Sequence, residues 1–542
     1  MPVGGNGRGA EWDAIVIGSG FGGAMAAHSL VSAGHRVLML ERGGWVARGP
    51  QNWSTDGVGL VSPHYSNESP YDVTSGNRRY RAGSWNCVGG QSVFYGGASF
   101  RFRERDFEPA AETLGDSGAT WPFGYHDLEP FYARAEQLLG VAGEEGQDPT
   151  EPPRSTRYPQ RPVPLSRSAQ VIADAASRLG LSPFRIPLAI SYGRDEHGRA
   201  CMRCGTCDGY ACAAEAKNDV ATAVIPSLVR RGMTIRPNTV CVRLVREGSR
   251  IAAVECVDRI TGERYRLTAK NIVLAAGALA TPHLLLASRL DDCNPAGALV
   301  GRHLMRHRNA LVLGVFERQP NPARTFDKQV AIHDFYYGAP GWDARRGTLG
   351  GIQQLTPSVG LVRAYMPMLV RDPAATLVSH MAGLLVIAED QPQRENRVVL
   401  DRSEVDRFGL PRLRVYHAHT RRDDDAAAVL VAHARRVLRE AGARFTYMHP
   451  IETLSHALGT VRMGVDARTA PLDRRGRYRG LDNLYVTDAS ALPRSAGVNP
   501  SLTIAANALR VGAGIAERSL PAARPAARSL PVHYLPLPAV AS

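Results

Sequence analysis

The chain has 542 residues, 44% of them hydrophobic and 21% charged, with a formal net charge of +14. That balance fits a globular protein of two or three domains, and no run of about 18 apolar residues offers a membrane span. The basic excess is arginine spread along the whole chain, with no basic block interleaved with aromatics, so nucleic acid is not an expected partner.

The leading stretch MPVGGNGRGAEWD lacks the apolar core of a secretion signal. With it go eight cysteines, which points to reduced thiols or a metal site in the cytoplasm and not to a disulfide framework. Asp13 to Glu41 reads as a βαβ unit. Ala14 to Ile17 is a short apolar strand, and Gly18, Gly20 and Gly23 give G-x-G-x-x-G. Ala24 to Ala33 is helix-prone and ended by Gly34, and Arg36 to Leu40 is a second strand. The glycines let backbone approach a pyrophosphate, which the helix N-terminus favours electrostatically. Glu41 follows Gly23 by 18 residues, where a carboxylate accepts from ribose hydroxyls. An acid there opposes a 2′-phosphate, so FAD or NAD is expected over NADP.

From Arg42 to about Tyr80 the chain is polar and rich in Gly, Pro, Asn and Ser, and reads as a long loop of the kind that forms lids. Ala82 to Phe107 then carries glycines at 83, 89, 90, 96 and 97, suited to backbone packed on something flat. Within it, Gly89-Gly90-Gln91-Ser92-Val93-Phe94-Tyr95-Gly96, followed by Arg101 and Arg103, resembles the second flavin-contacting segment of the glucose–methanol–choline (GMC) oxidoreductases, G-G-x-S-x-x-N-G. Tyr95 stands where that family has Asn. The resemblance implies flavin contacts at Gly90 and Ser92. Members with a covalent flavin carry a histidine near here; this segment has none, so non-covalent FAD is expected.

Trp121 to Gly143 reads as a structural helix with Asp127 as its N-cap, and Thr150 to Pro164 as a linker. Cys201, Cys204, Cys207 and Cys212 are spaced C-x2-C-x2-C-x4-C. Thiolates so spaced can hold an iron–sulfur cluster or zinc, although the bacterial ferredoxin run is C-x2-C-x2-C-x3-C-P. Structural thiols or a local disulfide are the alternative. Some GMC-like dehydrogenases carry cysteines in the corresponding segment, a number of them cluster ligands.

Met233 to Leu274 has a strand-like pattern, and the resemblance puts the Val240 backbone at the adenine. Gly277 to Ser288, GALATPHLLLAS, resembles the second GMC signature, G-x-x-x-T-P-x-L-L-x-x-S, with Pro282 near the first helical turn and Gly277 against the FAD. Gly301 to His307 resembles G-x-x-L-M-D-H, with Arg306 in place of Asp. From 305 to 450 the chain reads as a second domain similar to the GMC substrate cap. It holds strands at Ala310 to Phe316, Ala382 to Glu389 and Arg397 to Leu400, and a helix from Asp423 to Ala441 capped by Asp residues and ended by Gly442.

Three further motifs resemble the family: Ser455 to Gly464 (H-x-x-G-T-x-R-M-G), Leu484 to Ser490 (L-Y-V-x-D-A-S) and Gly497 to Thr503 (G-x-N-P-x-x-T). They imply His456 as the catalytic base and Asn499 as its partner. They also imply Asp488 near the FAD pyrophosphate, and Asn499 and Pro500 against the cofactor. Histidine suits the task, since its ordinary pKa near 6.5 lets it accept a hydroxyl proton near neutrality. His449 is the fallback base.

The expected fold is α/β, α+β overall. A Rossmann-like FAD-binding domain (11–304 with cap insertions, and 451–518) joins a discontinuous cap on a mainly antiparallel sheet (mainly 305–450). Residues 519–542 form a Pro/Ala/Arg-rich tail expected to be disordered. The expected reaction is FAD-dependent oxidation of an alcohol to a carbonyl by hydride transfer, with O2 or another electron acceptor. Length, cysteine run and G-V-N-P ending are most similar to alcohol oxidases of aminoglycoside antibiotic pathways, which oxidise a primary sugar hydroxyl such as the 6′-hydroxyl of paromamine. A sterol or other hydrophobic alcohol is the alternative. A non-catalytic FAD/iron–sulfur electron-relay subunit is the alternative of another class.

Overall fold

The computed structural model describes residues 12–519 apart from 54–57, 59–61, 63, 109–110, 116, 194–197, 326–327, 357 and 366–367. The leading residues and the tail beyond 519, the latter expected to be disordered, lie outside the described residues.

Five parallel strands run in the order Leu484–Val486, Ala269–Leu274, Trp12–Ile17, Val37–Leu40, Thr234–Arg236. Ala14 to Ile17 and Val37 to Leu40 are wholly buried, which is why both read as continuous apolar runs and not as alternating ones. The helix Phe21–Ser32 connects the two and packs along the last helix, Ser501–Ser519. Gly512 makes that contact close: a Cβ there would sit 2.7 Å from the Ala26 carbonyl. Ser29 Oγ also donates to the Leu509 carbonyl at 3.0 Å. An antiparallel meander, Thr239–Glu247, Arg250–Asp258 and Arg264–Leu267, leads back to the sheet.

A six-stranded antiparallel sheet runs Phe445–Ile451, Arg308–Val315, Met381–Ala388, Gly350–Gln354, Val330–Ile332, Pro183–Arg185. The helix Arg421–Glu440 lays Ala426, Leu430, Ala434 and Val437 on it, a stripe at helical spacing, beside the helix Arg167–Arg178. The sheet therefore draws one strand and one helix from residues well before 305.

Several local expectations change. The stretch expected as loop up to Tyr80 forms a hairpin, Tyr65–Ser75 with Arg78–Trp85, turning at Gly76. It extends a sheet with Arg397–Val405 and Pro411–His417. Only Tyr71 and Val73 supply its buried apolar face among the described side chains of its first strand, too weak an alternation to stand out from a polar composition. Asp127 is not the N-cap of its helix: Gly124 is, and Asp127 sits three residues in, accepting from the Gly124 N–H at 3.0 Å. Asp423 plays the same part for the helix Arg421–Glu440, whose N-cap is Thr420. Pro282 is the sixth residue of the helix Gly277–Ala287. Proline has no N–H for the Ala278 carbonyl four residues back, and Thr460 Oγ1 donates to that oxygen instead, at 2.6 Å.

Candidate active site

The cofactor-binding residues expected from the sequence converge at one end of the parallel sheet. Gly18 has φ +100°, and a Cβ there would lie 2.3 Å from the Ala275 carbonyl. Gly23 serves helix–strand packing, since a Cβ would lie 1.9 Å from the Gly18 carbonyl. Gly20 and Gly277 face open space, with nothing within 4 Å of an added Cβ. Gly90 approaches Gly20, 3.6 Å from its Cα to the Cβ position. The helix Phe21–Ser32 has no side-chain cap and no acid in its first turn, so its N-terminal N–H groups are left for an anion. A glycine-lined space at an uncapped helix N-terminus fits a dinucleotide pyrophosphate.

Glu41 closes the other end of this cradle. Its carboxylate accepts from Ser19 N at 3.2 Å, Ser19 Oγ at 2.6 Å and Gly43 N at 2.9 Å. Its backbone carbonyl accepts from Thr239 N, next to buried Val240. Ser92 Oγ donates to the Gly89 carbonyl and accepts from Val220 N, so its hydroxyl shapes the loop. Asp488 is likewise engaged internally: Gly277 N, Thr281 Oγ1, Ser490 N and Ser490 Oγ all donate to it, at 2.5–2.9 Å. It orders the start of the helix Gly277–Ala287. Pro500 is buried and accepts from Ile504 N at the start of the last helix. Tyr95, in the place of the family's Asn, donates to the Asn218 carbonyl and stacks edge-on with Phe21.

His456 and Asn499, 43 residues apart, meet beside this cradle. Gln91, next to Gly90, donates to the carbonyl of Ser455 and so ties the His456 loop to the glycine segment. Leu458 and Met305 exchange backbone hydrogen bonds, which lays Gly301 to His307 alongside. His307 Nε2 is 2.9 Å from the Ser495 carbonyl, which only accepts, so that nitrogen carries the hydrogen. In the neutral ring Nδ1 is then the acceptor, and it faces His456 Nδ1 at 3.1 Å. His456 therefore carries its hydrogen on Nδ1 and keeps its lone pair on Nε2. That nitrogen faces Asn499 Nδ2 at 3.5 Å, and Asn499 Oδ1 accepts from buried Gln353 at 2.9 Å. His449 lies opposite Leu311 on an edge strand of the antiparallel sheet.

Burial holds the His456 pKa well below 6.5, and the His307 ring and the Lys328 ammonium lower it further. His307 is also held down, by burial. Both rings are thus neutral at pH 7, as the tautomer assignment requires. Lys328 is buried and pairs with Asp208 at 2.7 Å, and a Cβ on Gly96 would lie 2.5 Å from both. Lys328, Asp208, Gln353 and the orienting part of His307 were not anticipated from the sequence. His307 lay in a flagged motif, and Asp208 within the Cys201–Cys212 run.

The four clustered cysteines carry free thiols, as do all eight cysteines. No three of those sulfurs lie within 4.8 Å of one another, so the tight quartet of a tetrahedral zinc site is not formed. Burial pushes the Cys207 thiol up. Lys217 orders this loop, donating to the carbonyls of Tyr95, Cys207 and Tyr210.

A glycine-lined cradle thus lies beside a neutral imidazole and an amide. Residues 12–309 and 392–508 match the two family models described as GMC oxidoreductase, and the chain belongs to that family. Its members are FAD-dependent and act on CH–OH donors, which sets aside the non-catalytic relay subunit. The chain is 33% identical to the 6′′′-hydroxyparomomycin C oxidase of Streptomyces lividus, covering 93% of this chain and 91% of that one. It is 32% identical to the paromamine 6′-oxidase of Streptomyces fradiae, over the same shares. The structure of a pyridoxine 4-oxidase from Mesorbium loti has the same fold, with a TM-score of 0.64 at 19% identity over 94% of this chain and 99% of that one. Among the described residues no helix is long and apolar enough to cross a membrane.

The two kinds of glycine separate in a test. Gly23→Ala should destabilise the apoprotein by about 1–3 kcal/mol, read from urea denaturation. Gly20→Ala should leave that midpoint unchanged and weaken FAD binding, read by titration of apoprotein with FAD.

The histidine pair makes a second prediction. His307→Ala should slow anaerobic flavin reduction by about 10- to 100-fold through loss of orientation, with FAD content retained. Lys328→Gln removes a cation that lowers the His456 pKa, so the acid limb of the pH–rate profile should move upward.

Proposed function

We propose that this protein oxidises a primary hydroxyl of a sugar or aminoglycoside, such as the 6′-hydroxyl of paromamine, to the aldehyde. His456 is the base and Asn499 the group that holds the substrate oxygen. The observation that carries this reading is the polar ring around the pair. Asn499 faces His456 Nε2, Gln353 holds Asn499, and Lys328, paired with Asp208, is close enough to lower the His456 pKa; Gln353 Oε1 is buried with no partner. A sterol would leave these groups desolvated and unpaired, whereas a polyhydroxylated ring offers them partners. The names of the two relatives at 33% and 32% identity point the same way. O2 is the acceptor in this reading, supported by the oxidase names alone, and the eight free thiols favour a cytoplasmic setting.

His456 Nε2 takes the hydroxyl proton while Asn499 Nδ2 donates to the alcohol oxygen. The hydrogen bond to His307 keeps the accepting lone pair aimed at the substrate throughout. The positive charge that forms on His456 is favoured by buried Asp390. FAD, when bound, supplies the hydride acceptor. Gly20, Gly90 and Gly277 would hold its pyrophosphate side and Glu41 its ribose, without a covalent bond.

Anaerobic bleaching of the flavin by a panel of alcohols tests the substrate. An amino sugar with a free primary hydroxyl should bleach it, the same sugar without amines less readily, and a sterol not at all. Bleaching by the sterol alone would overturn the reading. His456→Ala should slow reduction by roughly 10²- to 10⁴-fold with FAD retained, and Asn499→Ala less. Acid precipitation should release the flavin; yellow that stays in the pellet would refute non-covalent attachment.

A further inference from the structure

Behind the His456–His307 pair lies a second cluster, in which Asp390 meets two imidazoles that alcohol oxidation does not use. Asp390 follows the strand Met381–Ala388, His417 ends the strand Pro411–His417, and His419 comes two residues later. Each turns a ligand atom inward, and the three atoms lie within 4.8 Å of one another, the only such group among the described residues. Asp390 is 1% exposed and His417 3%. Neither ring nitrogen of His417 makes a hydrogen bond, nor does Asp390 Oδ1. His417 Nε2 is 3.6 Å from Asp390 Oδ2, beyond hydrogen-bond range. A buried imidazole with both nitrogens unpaired is a costly arrangement that a ligand would relieve.

His419 supplies an independent observation. Its Nε2 lies 3.1 Å from the His307 carbonyl, which only accepts, so Nε2 donates and Nδ1 keeps its lone pair in the neutral ring. A ring whose far N–H is anchored on a backbone carbonyl is how metal-ligating histidines are oriented. The cations nearby are committed elsewhere. The Arg306 guanidinium donates to Tyr80 Oη, the Glu452 carbonyl and Ser75 Oγ, and Arg308 pairs with Asp424. Arg306 presents its backbone N–H to Asp390, at 2.8 Å.

We infer that Asp390, His417 and His419 form a binding site for one divalent transition-metal ion, with zinc the ion its two imidazoles and one carboxylate suit best. The three ligands come from ends of two different sheets and meet at the backbone of His307. A bound ion would therefore brace the residue that orients His456, with a structural part and no contact with substrate.

Purified holoenzyme would be loaded with zinc chloride, dialysed against metal-free buffer and analysed for zinc by mass spectrometry. About one zinc per chain is expected, retained in a Cys201→Ser/Cys207→Ser variant and lost in His417→Ala and His419→Ala. Should the histidine variants fail to fold, wild-type enzyme treated with a chelator should melt several degrees lower and recover on zinc addition. No retained zinc in the wild type, zinc lost with the cysteines and kept without His417, or a melting temperature indifferent to chelator and zinc would each overturn the site.

Discussion

A hydrogen bond between two neutral imidazoles forms in one sense only: one nitrogen must carry the hydrogen and the other must not. The Nδ1–Nδ1 contact of His307 and His456 is such a bond, and the Ser495 carbonyl decides its sense. Everything the site asks of His456 follows from that choice. The free lone pair is placed on Nε2, the nitrogen next to Asn499, and only while both rings are uncharged. Burial of the pair, reinforced by Lys328, enforces that condition. The same burial makes a protonated His456 costly; in the proposed role as base it would have to pass its proton on, with buried Asp390 easing the transient charge.

The parallel sheet holds this arrangement in place. Its outermost strand, Leu484–Val486, comes from late in the chain and pairs with Ile272 to Leu274. That pairing returns both late motifs to the glycine segment. Thr487 N then donates to the Leu274 carbonyl and Thr487 Oγ1 to the Gly22 carbonyl. Asp488, the next residue, fastens Gly277 and Thr281. A single carboxylate buried among four donors thus joins the two halves of the cradle.

What could be read from the sequence is local in a physical sense. The first βαβ unit announces itself because strand, turn, helix and strand are contiguous and each is buried or strained in a way that restricts composition. His456 and Asn499 were legible because each sits in a short motif whose backbone is constrained by its own neighbours, as Gly459 at φ +90° against the His303 carbonyl illustrates. Gln353 and Lys328 arrive from a separate strand and loop with nothing nearby to mark them, and Asp208 sits in the cysteine run, whose spacing points to the thiols and not to the acid. The hairpin at Tyr65–Trp85 was hidden for a related reason. Its first strand is held by a partner at 414–417, more than 300 residues away, and not by its own periodicity. Thr420 and Gly124 show a finer limit: an acid three residues into a helix is as strong a start signal as the cap itself.

The formal charge of +14 bears on a cationic substrate less than it first suggests. At physiological ionic strength charges separated by more than about 8 Å are largely screened, so arginines scattered over the surface act mainly as a weak, salt-sensitive barrier to approach. Inside the site the balance is set by near neighbours. Lys328 alone would repel an amino sugar, but it is held at 2.7 Å by Asp208, and the pair is neutral as a whole. Its carboxylate side chain is 27% exposed while the lysine's is 4% exposed. Under the proposed reading, an entering ammonium group would meet the more exposed acid before the buried cation. Lys328 lowers the His456 pKa, and under the proposed reading Asp208 would offer an anchor to a positively charged ring. A neutral sterol could not use that anchor.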